Sequence, residues 1–199
     1  MRYFGSASFL VSTAFLFGVL TATAPTIAVD VPATEIQLSR RDGEVRITRD
    51  ADNTYTAEIL LDASVEEVWN VIADYDNFSD FLPNIVSSDV LEVEGNRHVV
   101  EQVSERRIFF LNVRSRIRTE NLETKNQRID FRLVEGDLAR LEGSWILESV
   151  AESNHLRLKQ TVNVSPEDGT PETLFYDIFE QSLADTLEAI REEVLRRRG

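Results

Sequence analysis

The chain of 199 residues has no cysteine, which excludes disulfides, thiolate metal sites and lipid attachment through sulfur. It has only two histidines, His98 and His155. Each flanks the start of a strand-like run and reads as a surface strand position, with no second histidine or cysteine nearby to complete a metal site. The eight glycines include no phosphate-cradling loop, so no cofactor is expected. Basic residues are scarce, 21 Lys and Arg against 35 Asp and Glu, for a net charge of −14. Nucleic-acid binding depends on dense cations that neutralise phosphates, and that function class is excluded.

The charge falls unevenly. Residues 50–96 hold twelve acids, from Asp50 to Glu94, and no Lys or Arg; residues 97–140 hold ten basic residues against seven acids. This reads as an acidic helical rim beside a basic strand surface. The same asymmetry is a dipole able to orient the molecule at a membrane surface or on a partner.

At the N-terminus, Met1-Arg2 precedes an apolar run through Leu20 and then the small residues Ala22, Ala24 and Ala28. That is the order of a secretory signal peptide. Cleavage after Ala24 would place Pro25 next, so the bond after Ala28 is favoured, giving a signal segment at 1–28. An uncleaved anchor is the alternative; the run is near the lower limit for a bilayer span, which favours cleavage. Either way the body of the protein is expected to be exported, to a periplasm or equivalent lumen. Residues 29–42, with Pro32 and Arg40-Arg41, read as a linker, and residues 43–199 as the domain. A domain of about 150–170 residues buries roughly 70% of its unfolded surface and needs no staple.

From Val45 apolar residues alternate: Val45 and Ile47, then Tyr55, Ala57, Ile59 and Leu61, with Asp50–Asn53 supplying turn chemistry between. Ser64 with Glu67 has the form of a capping box, after which Val65, Val68, Trp69 and Ile72 fall on one helical face. Ser79 starts a second short helix through Phe81, limited by Pro83. From Val90 to Val164 the pattern predicts consecutive antiparallel strands, with turns at Gly95-Asn96, Glu123–Asn126 and Glu152–Asn154. Val113, Ser115, Ile117 and Thr119 share one face, opposite Arg114, Arg116 and Arg118. Ile129, Phe131 and Leu133 oppose Arg128, Asp130 and Arg132; Leu156, Leu158, Gln160 and Val162 oppose His155, Arg157 and Lys159. Such strands form a sheet covered on one side only.

The last element is the cover. Thr170 is the predicted cap, Pro171 the first helical residue, and Glu172 complements the positive dipole end. Leu174, Phe175, Ile178, Phe179, Leu183, Leu187, Ile190 and Val194 then form an apolar stripe. A helix of about 27 residues, roughly 40 Å long, can lie across the whole concave sheet.

Two motifs sharpen this α+β reading. The helical run Val65–Val71 leads into IADYDNFSDFLPNI (Ile72–Ile85), and LVEGDLARLEGSW follows at Leu133–Trp145. Together they resemble the coenzyme-Q-binding START-like family, within the SRPBCC superfamily of polyketide cyclases, dehydrases and lipid-transfer domains, over roughly Val45 to Leu195. The resemblance implies a helix-grip fold: a curved antiparallel sheet wrapped around a long C-terminal helix, two short helices after the first strand region, and a hydrophobic tunnel between. It implies that the Phe78–Pro83 turn and the Glu135-Gly136-Asp137 bend frame the mouth. Asn84-Ile85 stands where Trp-Cys is common in the family, and Asp137 where Pro is common.

The candidate ligand-binding residues are the inward aromatic and apolar ones. Trp69, Tyr75, Phe78, Phe81 and Leu82 belong to the helical rim; Phe109, Phe131 and Trp145 to strands; Phe175, Phe179 and Leu183 to the long helix. A ligand losing about 350 Å² of apolar surface gains on the order of 9 kcal/mol. Association costs take back several of these, leaving micromolar affinity suited to reversible carriage of a quinone, lipid or pigment-like molecule. The expected partner is therefore a hydrophobic small molecule, with contact to a membrane surface through the Arg114, Arg116 and Arg118 ladder. Two other readings stand beside it: a cyclase/dehydrase-type enzyme, in which Tyr75 with Asp74 or Asp76 would act as acid and base, and a non-catalytic interaction module. Inward positions that read mostly apolar rank the carrier first. No motif sets the oligomeric state.

Overall fold

The alternation in the sequence becomes a sheet. The computed structural model describes residues 43–108, 111–151 and 155–199. The signal, linker and Glu152–Asn154 turn readings lie outside these residues. The described residues form eight antiparallel strands: β1 (Arg46–Arg49), β2 (Thr54–Leu61), β3 (Ile85–Glu94), β4 (Arg97–Ile108), β5 (Leu111–Thr124), β6 (Arg128–Gly136), β7 (Leu138–Ser149) and β8 (Leu156–Pro166). They pair in the order β1-β2-β8-β7-β6-β5-β4-β3. Helices α1 (Val65–Ile72) and α2 (Phe78–Phe81) connect β2 to β3, and α3 (Glu172–Arg198) follows β8. This is the helix-grip fold expected from the sequence.

Local chemistry sets most boundaries. In the β1–β2 turn Asp50 Oδ1 accepts from the amides of Asp52 and Thr54, each at 3.0 Å. The capping box of α1 forms: Ser64 Oγ accepts from the Glu67 amide and Glu67 Oε2 from the Ser64 amide. Three starts differ from expectation. Helix α2 begins at Phe78 without a side-chain cap, because a 3-10 turn at Tyr75–Asn77 delivers the chain directly into it. Helix α3 begins at Glu172 with Pro171 in the cap position; the Thr170 amide is spent on the Glu167 carbonyl in the preceding turn. Strand β3 begins at Ile85 rather than Val90, since its first residues already pair with Ser104 to Glu101 of β4.

Tyr55, Ala57, Ile59 and Leu61 of β2 and Leu156, Leu158, Val162 and Val164 of β8 are buried. They share a core with Val68, Trp69, Val71 and Ile72 of α1 and with Leu183, Leu187, Ile190 and Val194 of α3. Helix α3 packs closely against β1, β2, α1 and α2, and the inner faces of β4 to β7 are separated from it by a cavity. It therefore does not close the whole concave face, although its length would permit that.

The C-terminal half of α3 is also fastened by charge. Glu193, with its side chain 4% exposed, accepts from Arg196 and Arg197 at 2.6–2.7 Å. Arg197 continues to Asp74 Oδ2 at 2.7 Å and the Asn70 carbonyl at 2.8 Å. Arg198 meets Glu67 at 2.6 Å. At the other end of the helix, Tyr176, absent from the predicted stripe, is buried: its hydroxyl accepts from Asn53 Nδ2 at 2.9 Å and the Arg49 guanidinium lies 4.1 Å over its ring. Leu174, placed in the stripe, is 41% exposed.

The two motif glycines have steric reasons. Gly136 sits at φ +145°, and a Cβ there would lie 2.4 Å from the Arg116 carbonyl oxygen. A Cβ on Gly143 would lie 2.0 Å from the Thr161 carbonyl oxygen and 2.8 Å from Phe131 Cζ. The Thr161 oxygen is backbone and cannot swing aside, so Gly143→Ala is expected to cost about 3 kcal/mol or more, read as a lowered urea midpoint.

Hydrogen bonds from Arg196 and then Arg197, against an opposing burial cost, hold the Glu193 carboxyl down at about 2. A carboxylate that binds its proton less tightly folded than unfolded stabilises the fold above about pH 4.3, and loses that contribution as acid takes it through its folded value. Glu193→Gln is expected to cost about 3 kcal/mol at pH 7. The gap between variant and wild type should narrow between pH 5 and pH 2 in urea titrations; a gap independent of pH would exclude the ionic clamp.

Candidate ligand cavity

A cavity of about 700 Å³ lies between the inner face of the sheet and α3. Strand register builds its floor. Gln160 faces Trp145 across β8 and β7, Trp145 faces Ile129 across β7 and β6, and in the next row Gly143, Phe131 and Asn121 align across β7, β6 and β5. Because Gly143 has no side chain, the Phe131 ring lies over its backbone. The roof is α3, where Phe175 and Phe179 stack at 6.0 Å and Phe179 meets the edge of Tyr55 at 5.4 Å.

Of the sequence-predicted residues, Tyr75, Phe78 and Leu82 from the rim, Phe131 and Trp145 from the strands, and Phe175, Phe179 and Leu183 from α3 are brought together on this wall. Trp69 and Phe81 are not. The helical face that carries Trp69 turns into the core beside Val68 and Ile72, and the Phe81 ring packs 5.7 Å from the Arg197 guanidinium. Phe109 lies outside the described residues.

The mouth is edged by exposed Pro83, Asn84, Val113, Arg114, Asp137 and Leu174. Both departures from the family pattern have local work here. Asn84 adopts φ +64°, a left-handed conformation that asparagine tolerates better than most side chains, and its carbonyl accepts from the Glu105 amide at 2.8 Å. Asp137 Oδ2 accepts from the Arg116 amide at 2.8 Å. Arg106, also on the wall, reaches across to Asp185 of α3 at 3.6 Å.

Titratable groups are placed differently from expectation. The Tyr75 hydroxyl donates to Glu123 Oε1 at 2.8 Å, and burial, reinforced by that carboxylate, pushes its pKa upward. Asp74 is taken by Arg197, and Asp76 accepts from the Val90 amide. The Tyr75–Asp acid–base pair is therefore not assembled. His98 is not a surface position: its ring lies 5.7 Å from Tyr75 and its Nδ1 3.2 Å from Glu123 Oε1, because residue 98 falls on the inner face of β4 opposite Asn121. His155 precedes β8 and is half-buried. Among the described residues no cluster of three or more His, Asp or Glu is arranged to hold a metal.

Two members of the arginine ladder are ion-paired within the sheet. Arg116 and Arg118 both bridge Glu101 and Glu135, at 2.7–3.0 Å, forming a closed square on the outer face. Hydrogen bonds donated by Arg118 and Arg116 hold the Glu101 carboxyl below its usual range, and one from Arg116 with the charge of Arg118 does the same for Glu135. Their charge is answered within the sheet, leaving Arg114 at the mouth as the exposed member.

The inner wall is more polar than an apolar tunnel. Gln102 and Ser104 of β4, Ser115, Thr119 and Asn121 of β5, and Gln160 of β8 all line it. The signal was in the alternation, since Ser115, Thr119 and Gln160 occupy inward positions; reading each as a face marker passed over what its side chain would offer a ligand.

The family model described as polyketide cyclase / dehydrase and lipid transport matches residues 61–191. No curated protein matches the chain. Among solved structures, it is similar to the Zhui aromatase/cyclase from Streptomyces sp. R1128, with TM-score 0.64 and 15% identity over 78% of this chain and 97% of that one. It is similar to a START superfamily protein from Mycobacterium smegmatis, with TM-score 0.61 and 15% identity over 72% and 97%. A STAR-related lipid transfer protein (fragment 25–204) from Xanthomonas axonopodis gives TM-score 0.57 and 17% identity over 77% and 99%. Identities this low establish a shared fold. The family match runs from the end of β2 through most of α3, across the strands and helix that enclose the cavity, and this chain belongs to the polyketide cyclase/dehydrase and lipid transport family.

Proposed function

We propose that the protein is a carrier or chaperone that holds a hydrophobic small molecule, quinone, lipid or pigment-like, between the sheet and α3, and that it acts after export. The observation that carries this reading is the cavity itself. About 700 Å³ is left open beside a tightly buried core, within the range of small-molecule sites, and aromatic side chains from three separate elements converge on it. The two sequence motifs favour a coenzyme-Q-type quinone within this class. Carriage is favoured over catalysis because the Tyr75 hydroxyl is committed to Glu123 and Asp74 and Asp76 are held by other partners.

Native mass spectrometry of the protein purified from its own host, with extraction of bound material, is expected to find a stoichiometric hydrophobic ligand. An empty protein that also ignores a panel of hydrophobic probes would overturn the reading. Phe179→Asp places a charge in the roof and is expected to reduce probe uptake at least 100-fold while the protein remains folded by circular dichroism.

Loading from a membrane would bring the mouth to the lipid surface, where exposed Arg114 is the cation offered. Sedimentation with anionic liposomes is expected to weaken two- to fivefold for Arg114→Ala, close to one cation's share of such attraction; unchanged binding would remove Arg114 from that role.

A further inference from the structure

Two carboxamides lie in the cavity wall, those of Asn121 and Gln160, and among the described residues no protein donor is bonded to the Gln160 oxygen. Asn121, 6% exposed, commits its NH2 to Thr119 Oγ1 at 3.0 Å and lies 3.4 Å from the Thr119 carbonyl oxygen. A carbonyl can only accept, so the orientation of the Asn121 amide is fixed and its own oxygen is the group offered to the cavity. Gln160, 9% exposed, has a buried Oε1 with no hydrogen-bond partner. Each sits beside an aromatic ring in its cross-strand row, Asn121 opposite Phe131 and Gln160 opposite Trp145.

The Gln160 oxygen is a buried acceptor left unfilled, which is costly, and native folds rarely keep one without a use; the Asn121 oxygen lies in the same wall. Phe131 and Trp145 cannot fill these acceptors; they supply flat apolar surface between them. The charged wall residues are Arg106, Arg114 and Asp137. Arg114 and Asp137 stand exposed at the mouth, and Arg106 is paired with Asp185, so the buried part of the wall is neutral.

Resting on the carrier reading, we propose that the cargo is a ring compound bearing hydroxyl groups, whose O–H groups donate to Asn121 Oδ1 and to the Gln160 carboxamide while its rings lie against Phe131 and Trp145. For a quinone-type cargo this selects the reduced, hydroxyl-bearing form over the oxidised form, which has acceptors only. A plain acyl chain would leave both acceptors unfilled.

The test uses a matched fluorescent pair, 1-hydroxypyrene and 1-methoxypyrene, titrated at pH 7 into the full protein. The hydroxyl compound is expected to bind about tenfold more tightly, since a site that hydrogen-bonds a substrate hydroxyl discriminates strongly against the analogue lacking the donor. A single hydroxyl donates to one acceptor at a time, so at least one of Gln160→Met and Asn121→Leu is expected to lower that ratio at least threefold while leaving 1-methoxypyrene affinity unchanged or improved. Equal binding of the two probes to the wild type would overturn the proposal and leave the carrier reading standing. A wild type that binds neither would overturn both. A ratio that survives in both folded variants would also overturn it, because the preference would then come from other groups.

Discussion

Burial of Leu187, Ile190 and Val194 among the residues of β2 and α1, extended by the Glu193–Arg197–Asp74 ion chain, fixes the C-terminal half of α3 to one side of the sheet. Tyr176 holds the other end against the β1–β2 turn, and over β4 to β7 the cavity separates the helix from the sheet. Burial along the cavity-facing side of α3 records the separation: Leu187 is fully buried, whereas Leu174 is exposed at the mouth. Phe175, Phe179 and Leu183, which lie between them, have one side in the core and another on open space. The cavity thus follows from where the helix is held.

The same fastening explains the short helices. Asp74 belongs to the segment that leads from α1 into the Tyr75–Asn77 turn, and Arg197 ties it to the end of α3. Tyr75 then enters the wall with its hydroxyl turned away to Glu123, so its ring faces the cavity and its polar end does not. An acidic segment in the sequence meets a basic helix terminus in space, and part of the charge asymmetry read as a dipole is spent inside the fold.

Much of this was legible in the sequence, and the exceptions have physical reasons. Period-two alternation gave the strands, the Ser64–Glu67 pair gave the start of α1, and three- and four-residue spacing gave α3. Tyr176 escaped the stripe because its burial depends on Arg49 and Asn53 of the β1–β2 turn, far away in the chain. Trp69 and Phe81 were drawn into the predicted wall because an aromatic residue near a motif does not announce which way it turns; a core contact claimed one and a guanidinium the other. The role of His98 required knowing that residue 98 falls opposite Asn121 in the β4–β5 register. Gln160 was visible as an inward polar position, but only the assembled wall shows that its buried oxygen is unfilled and that Asn121 lines the same wall.

Gly143 also bears on how the cavity can change over generations. The space above it is bounded by the Phe131 ring on one side and by the backbone of β8 on the other. Trimming Phe131 enlarges the chamber without touching strand pairing, whereas any side chain at 143 meets the Thr161 carbonyl before it can reduce the chamber. Single substitutions at this point of the floor can therefore drift toward bulkier cargo, while a change toward smaller cargo must arise elsewhere on the wall.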